Sequence, residues 1–253
     1  MRLKDCRELA FIGALLFVLY LPFANILCKS ILNRENSVLL SSFFKALTNP
    51  FYMSGLRVSI FVAIVSATAS GIAALILLSI EQFFHQGKWS SVVVFLVCLP
   101  LLFPDTLLGL IYAIGFKLWE IRPGSATLII AYSITATGFT YLMLKLFFGR
   151  PLKPLIDASK DLGAGYFESL IYVIIPLILK KVAYISLITV ITILNEFTIA
   201  FFASGSGTQT LPLSIYSSVR YGMKPELFAI TGVVVIASLT IFIISTYLAE
   251  KGS

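Results

Sequence analysis

Residues 157–176 read DASKDLGAGYFESLIYVIIP, a polar, amphipathic stretch set in a chain that otherwise reads as membrane. A long polar insert between two apolar spans needs a reason. The best one is that something outside the membrane grips it. Asp157 falls near the start of a helix expected from Pro154, where a carboxylate favours the helix dipole. Gly163 fits the left-handed stop that ends such a helix. Tyr166, Leu170, Val173 and Ile174 recur at helical spacing and predict one apolar face on a second short helix. Pro176 is expected to end or kink that helix as the chain returns to the membrane near Lys180 and Lys181. The result is a helix-turn-helix whose apolar knob suits a groove on a soluble partner. An amphipathic linker lying on the membrane surface is the competing reading.

Composition explains why the insert stands out. The chain has 253 residues, is 58% hydrophobic and has a mean hydropathy of +0.97. Charged residues make up 12%, about half the share in a soluble domain, so a polytopic membrane protein is the default. The net charge is +7, but the basic residues are scattered, which argues against nucleic acid and for basic loops beside membrane spans. Cys6, Cys28 and Cys98 lie far apart without metal-type spacing and read as small apolar fillers. His85, the only histidine, makes neither a metal site nor a triad. With no nucleophile and base pair, an enzyme is disfavoured and no cofactor is expected. No phosphate-cradling G-x-x-x-x-G-K-[ST] loop is present, so any ATP hydrolysis must belong to a separate subunit.

Six apolar stretches, at about 9–32, 56–80, 92–116, 126–148, 182–203 and 227–248, are each long enough to cross a bilayer, and each must be helical there. Arg2, Lys4 and Arg7 precede the first. Its apolar run is too long for an ordinary signal peptide and is expected to be a retained anchor. Lys and Arg are more numerous on the side that carries the N-terminus and the Lys145–Lys181 loop, which puts both termini in the cytoplasm. Residues 38–47 are amphipathic and are expected at the outer interface. Residues 205–225, rich in Ser, Gly and Pro, either re-enter or cap the outer mouth, or form a surface loop with a short helix. No internal repeat is visible, which argues against a stand-alone secondary carrier.

Within the spans, Ala67 with Gly71 and Ser70 with Ala74 offer small residues four apart, the spacing that lets helix backbones approach in lipid, within the chain or across a dimer. Pro100 and Pro104 make kinks in the third span and free carbonyls near a cavity. Ionisable residues inside spans are functional candidates by default. Arg57 can snorkel to the surface and reads as structural. Asp105 and Glu196 suggest a path for a cationic solute, with Tyr112, Trp119, Phe197 and Phe201 supplying aromatic faces for ammonium groups. The alternative is that Asp105 caps a broken helix and that Glu196 is protonated or bonded to a neighbouring span.

The insert resembles the coupling loop of bacterial ABC importer permeases. Asp157, Ala158 and Ser159 stand for that family's Glu-Ala-Ala, Gly163 is in place with Ala164 after it, and Val173, Ile175 and Pro176 close the motif. Residues 103–110 (FPDTLLGL), 157–164 (DASKDLGA) and 210–230 (TLPLSIYSSVRYGMKPELFAI) are similar to the C-type permease of spermidine/putrescine importers. The likeness covers most of the chain from about Pro100 onward. It implies an all-α integral membrane protein with six transmembrane helices and the type I importer permease fold. It implies one transmembrane domain over 1–253, with the coupling loop at 150–181 docked through Asp157, Ala158, Ser159, Gly163, Ala164, Tyr166 and Pro176. Alternating access to polyamine, driven by a dimer of ATP-binding subunits, is the implied mechanism. A second permease subunit, an extracytoplasmic substrate-binding protein and the cytoplasmic (inner) membrane complete the implied setting. Family members carry acids matching Asp105 and Glu196. Where they often pair two acids in the fifth span, this chain has Asn195-Glu196, which leaves ferric iron, thiamine or an aminophosphonate open as the solute. The fourth span has Gly138 near the place of the family's usual proline.

Overall fold

The computed structural model describes residues 39–83, 88–148, 152–205, 207–222 and 225–250, with isolated positions at Phe17, Tyr20, Leu21 and Asn25. Apart from those four positions, the expected first span lies outside the described residues, as do Cys6, Cys28 and His85. Every described element is helical. In chain order these are α1 (Leu39–Thr48), α2 (Pro50–Phe83), α3 (Lys88–Cys98), a 3-10 turn (Leu99–Leu102), α4 (Asp105–Leu118) and α5 (Ser125–Phe148). Then come α6 (Leu152–Asp161), a single turn (Tyr166–Glu168) running through a π segment (Ser169–Ile174) into α7 (Ile175–Leu194), α8 (Thr198–Ala203), α9 (Leu211–Arg220) and α10 (Pro225–Glu250).

Four helical runs are long and apolar enough to cross a membrane: Pro50–Glu81, Ser125–Phe147, Ser169–Leu194 and Glu226–Tyr247. They are apolar nearly all round, as helices between protein and lipid are. The expected third span is not one kinked helix. It is a bent pair, Ser91–Leu102 and Asp105–Leu118, turned by 110°. Two prolines four residues apart explain the change. Neither offers an N–H, and Pro104 forces Phe103 into extended backbone (ψ 144°), so the helix stops and restarts. The fifth span also differs from its expected 182–203. Its helix starts earlier, ends at Leu194, and restarts as the short α8.

The described residues group into two compact units. One holds those before Ser54 with Ile215–Ala237, and the other holds Ser54–Ser214 with those from Ser238 onward. In the first, Asn49 caps α2, its Oδ1 accepting from the Phe51 N–H at 3.0 Å, while Pro50 takes the first helical position. The Asn49 amide donates to Glu226 at 3.3 Å, and the Tyr52 hydroxyl donates to Ser218 at 3.0 Å. The amphipathic 38–47 stretch forms α1, which buries Ala46 and exposes Phe44.

The second unit holds two apolar clusters. Val62, Ala67, Leu108, Phe116, Leu128, Tyr132, Ile193 and Ile199 belong to one. Leu78, Tyr141, Leu144, Leu152, Ile156, Ile174 and Ile178 belong to the other. In lipid, burying apolar surface gives little drive between helices, so close backbone approach and internal hydrogen bonds hold them. The small-residue face of α2 serves this purpose inside the chain: Ala67, Ser70, Gly71 and Ala74 are all buried. A methyl added at Gly71 would sit 2.8 Å from Ser186 Oγ on α7. At Gly109 it would sit 2.9 Å from Phe202 and 3.3 Å from the Ile199 backbone on α8. At Gly138 it would meet the Val97 carbonyl at 2.7 Å and the Cys98 Cα at 3.3 Å. Gly138 thus seats the end of α3 against α5 just before the break.

Gly138→Ala is therefore expected to strain α5 against backbone that cannot rotate away. The cost is about 1–3 kcal/mol, read as a fall of roughly 2–10 °C in the apparent Tm of detergent-solubilised protein. Gly115→Ala, on α4 with no atom within 4 Å of the added methyl, should leave the Tm unchanged or slightly raised.

Candidate functional site

Two places carry the chemistry singled out in the sequence: the helix breaks inside the membrane and the polar insert. At the first, Glu196 follows the end of α7. Its Oε1 accepts from the Thr198 and Ile199 N–H groups at 2.6 and 2.9 Å. Its Oε2 accepts from Ile199 at 3.1 Å, Ala200 at 3.3 Å and the Tyr132 hydroxyl at 2.8 Å. One carboxylate thus satisfies three orphan donors of α8 and ties them to α5. A charge-assisted cap of this kind is among the stronger hydrogen-bonded arrangements.

Asp105 is placed differently. It is the first residue of α4, exposed, where a carboxylate suits the helix dipole. Among the described residues no hydrogen bond or ion pair holds its oxygens. Glu196 is thus engaged and Asp105 is open. The two helix fragments they begin, α4 and α8, pack along one another.

The aromatic candidates are spread along this region. Tyr112 is half-buried, its hydroxyl 2.9 Å from Thr135 Oγ1 and its ring stacked on Phe116 at 6.4 Å. Phe197 and Phe201 have ring centroids 5.6 Å apart, and Phe201 meets Phe202 edge-on at 5.3 Å. Trp119 caps the far end of α4 and is exposed. Tyr132 was not anticipated, although it lies on the fourth span at the level the Glu196 cap requires.

The insert folds as a helix, a tight stop and a second helix. Gly163 has φ +87°. Its N–H donates to the Lys160 carbonyl at 2.8 Å, and the Ala164 N–H donates to Ser159 at 3.0 Å. This is the double bond of a Schellman stop, which requires a left-handed residue at that position. Gly165 then begins the next turn, its N–H donating to Glu168 Oε2 at 2.8 Å. That is half of a capping box, signalled by Gly-x-x-Glu and not anticipated. The buried Ser159 and Ser169 hydroxyls, 2.8 Å apart, clip the two arms together.

Three expectations need correcting. The first arm begins at Leu152, so Asp157 is mid-helix, where the dipole acts weakly. Pro176 does not end the second arm. It lies in the first turn of α7, where the π segment before it has already shifted the hydrogen-bond pattern. The expected apolar knob also faces the wrong way. Ile174 is fully buried, and Leu170 packs against the same interior cluster, whereas Leu162 (89% exposed), Phe167, Ile171 and Tyr172 (77%) stand out. The π segment changes the residue-per-turn count and so rotates which side chains face outward. Asp157 and Ala158 are exposed, Ser159 is buried, and Leu152 and Ile156 root the first arm in the apolar cluster beneath.

This arrangement is the fold of ABC transporter permease chains. The crystal structure of a bacterial ABC transporter involved in the import of the acidic polysaccharide alginate matches with a TM-score of 0.73 at 16% identity, covering 99% of this chain and 96% of that one. An amino acid ABC transporter crystallised with histidines matches at 0.62 and 16% identity, over 80% and 94%. In sequence, the relatives are polyamine permeases. The chain is 27% identical over 208 residues to the putrescine transport system permease protein PotI of Escherichia coli (strain K12), covering 79% of this chain and 73% of that protein. It is 28% identical over 210 residues to the spermidine/putrescine transport system permease protein PotC of the same organism, covering 81% and 77%. PotC of Haemophilus influenzae is 28% identical over 204 residues, covering 77% and 76%. No family model matches the chain. The relatives are membrane permeases rather than enzymes, and this chain is a multi-pass membrane protein.

The hydrogen bonds separate the two acids. Glu196→Ala leaves three α8 donors without a partner and should destabilise the solubilised protein by about 1–3 kcal/mol. Asp105→Ala removes no such bond and should shift stability by no more than about 0.5 kcal/mol. Thermal unfolding of the two variants side by side checks this.

Proposed function

We propose that this chain is the permease subunit of an ATP-driven importer that carries polyamine, spermidine or putrescine, across the bacterial cytoplasmic membrane. The observation that carries the reading is the insert. It is a rigid helix-stop-helix rooted by Leu152 and Ile156, with Leu162, Phe167, Ile171 and Tyr172 outward. Exposed apolar side chains on a polar segment suit a groove on a soluble partner. That partner is a dimer of ATP-binding subunits, met through Asp157, Ala158, Gly163, Ala164, Tyr166 and Pro176 and the outward residues named above, with buried Ser159 holding the two arms together beneath them. The basic residues of residues 145–181 support a cytoplasmic insert, and with it cytoplasmic N- and C-termini. Residues 1–253 act as one transmembrane domain beside a second permease subunit, supplied by an extracytoplasmic substrate-binding protein.

The relatives' names support polyamine as the solute. In this chain Asp105 offers an open carboxylate to an ammonium group. Tyr112, Phe197, Phe201 and Trp119 offer π faces, and Glu196 holds the break in shape through α8 and Tyr132. Closure of the ATP-binding subunits moves the insert. The broken helices α3–α4 and α7–α8 are where small rotations open the path to one side and then the other.

ATP-driven uptake of labelled spermidine into proteoliposomes holding the full complex tests the reading. An unlabelled panel of putrescine, thiamine, ferric chelate and aminophosphonate competes. Uptake blocked only by polyamines is expected. ATP-dependent assembly without polyamine uptake discards the solute and keeps the permease. Asp105→Asn should lower spermidine uptake by about tenfold or more, the loss of roughly 1.4 kcal/mol of interaction, with the complex still assembled. Equal uptake by wild type and variant would remove Asp105 from the path.

Gly163→Val forces a β-branched residue to φ +87°, a strain of about 1–3 kcal/mol that the turn relieves by unwinding. The ATP-binding subunit should then be lost from the membrane, or ATP hydrolysis should proceed without uptake. Retained subunit and normal uptake would exclude docking through this turn.

A further inference from the structure

Glu81, near the end of α2, meets two side chains one turn apart on α5. Its Oε1 accepts from Lys145 Nζ at 2.6 Å, and its Oε2 accepts from the Tyr141 hydroxyl. Lys145 Nζ also lies 3.3 Å from the Tyr141 oxygen and 5.6 Å from its ring centroid. Each oxygen of one carboxylate thus has its own donor, which fixes the plane of the group. Glu81 is 12% exposed and Lys145 41%, so the pair is shielded on the carboxylate side and reachable on the other. A partly buried pair of this kind contributes little net stability. Its value lies in the geometry it imposes.

That geometry sits at the root of the insert. Tyr141, fully buried, shares an apolar cluster with Leu78, one turn before Glu81, with Leu152 and Ile156 of α6, and with Ile174 and Ile178 of the second arm. α6 begins at Leu152, seven residues beyond Lys145. Apolar contacts in such a cluster can slide, because no one partner is demanded. The carboxylate with two donors cannot slide without losing both.

We propose that Glu81, Tyr141 and Lys145 are positioning residues that lock α2 to α5 at the base of the insert, so that a push on the insert moves both spans together. This rests on the permease reading above. The prediction is a coupling defect. Loosening the triad leaves the ATP-binding subunit docked and active while less of its motion reaches the path.

The test uses the full complex in lipid nanodiscs and proteoliposomes, with Lys145→Met, Tyr141→Phe and the exchange Glu81→Lys with Lys145→Glu. The first measurement needs no transport. Spin labels at Ile80→Cys and Leu155→Cys, both exposed positions, with the native cysteines replaced by alanine, report the distance between α2 and the insert by double electron–electron resonance. A distribution that is narrow in wild type, broad in Lys145→Met and narrow again in the exchange is expected. Equal widths throughout would overturn the lock. The second measurement is ATP hydrolysed per spermidine imported, normalised to membrane-retained ATP-binding subunit. It should rise about fivefold or more in Lys145→Met and Tyr141→Phe and fall back in the exchange. Hydrolysis and uptake declining together in proportion to assembled complex would mean a merely structural role. If wild type imports no spermidine, the solute reading falls, and the label distances still decide the lock.

Discussion

A backbone that breaks inside a bilayer must find partners for the N–H and C=O groups it frees, because lipid supplies none. Among the described residues the apolar helices break twice, at Leu99–Pro104 and at Asn195–Phe197, and the chain solves the problem in two ways. At the first, proline removes donors before they can be orphaned, and Phe103 turns back to the Pro100 carbonyl at 3.2 Å. At the second, the Glu196 carboxylate accepts three N–H groups of α8. Tyr132 then fixes the same carboxylate to α5. The site exists because these breaks are affordable, and their solutions leave Asp105 open at the start of α4 while Glu196 is held by α8 and Tyr132.

Between the breaks, packing depends on what is missing. Gly71 admits Ser186, Gly109 admits the Phe202 ring and the Ile199 backbone, and Gly138 admits the Val97–Cys98 backbone, where an added methyl would collide. Gly109 brings α8 onto α4, and Gly138 lets the end of α3 lie on α5. The close approaches among the helix fragments of the candidate path are therefore made where a side chain is missing. Such contacts are rigid to compression but permit rotation about the crossing point. That combination suits elements that must change tilt without melting.

Much of this was legible in the sequence. Gly163 could be placed because a left-handed stop after an amphipathic turn has few alternatives, and the helix-stop-helix of the insert followed from it. Long apolar runs gave the spans, apart from their internal breaks. Hydropathy averages over breaks, so the Pro100–Pro104 pair looked like a kink and the 182–203 run looked continuous. The outward face of the insert was misjudged at Leu170, Val173 and Ile174 because a helical period was applied through a π segment, whose extra residue has no sequence mark. The engagement of Glu196 was equally hidden. An acid in a span looks the same whether it awaits a cation or caps the next helix, and only the arrangement of Thr198–Ala200 and Tyr132 decides.

The locality of the Glu196 cap bears on how the protein is made. An acidic residue entering a bilayer on its own helix meets a cost of about 2.5–3.5 kcal/mol at the centre of a span. Glu196 draws its backbone donors from two to four residues downstream, within the same emerging segment. The charge can be solvated by its own chain as soon as α8 winds, before the fourth span has closed on it. Biogenesis of this span then does not have to wait for tertiary assembly. The bond from Tyr132 then adds a tie to the fourth span to a charge already satisfied locally.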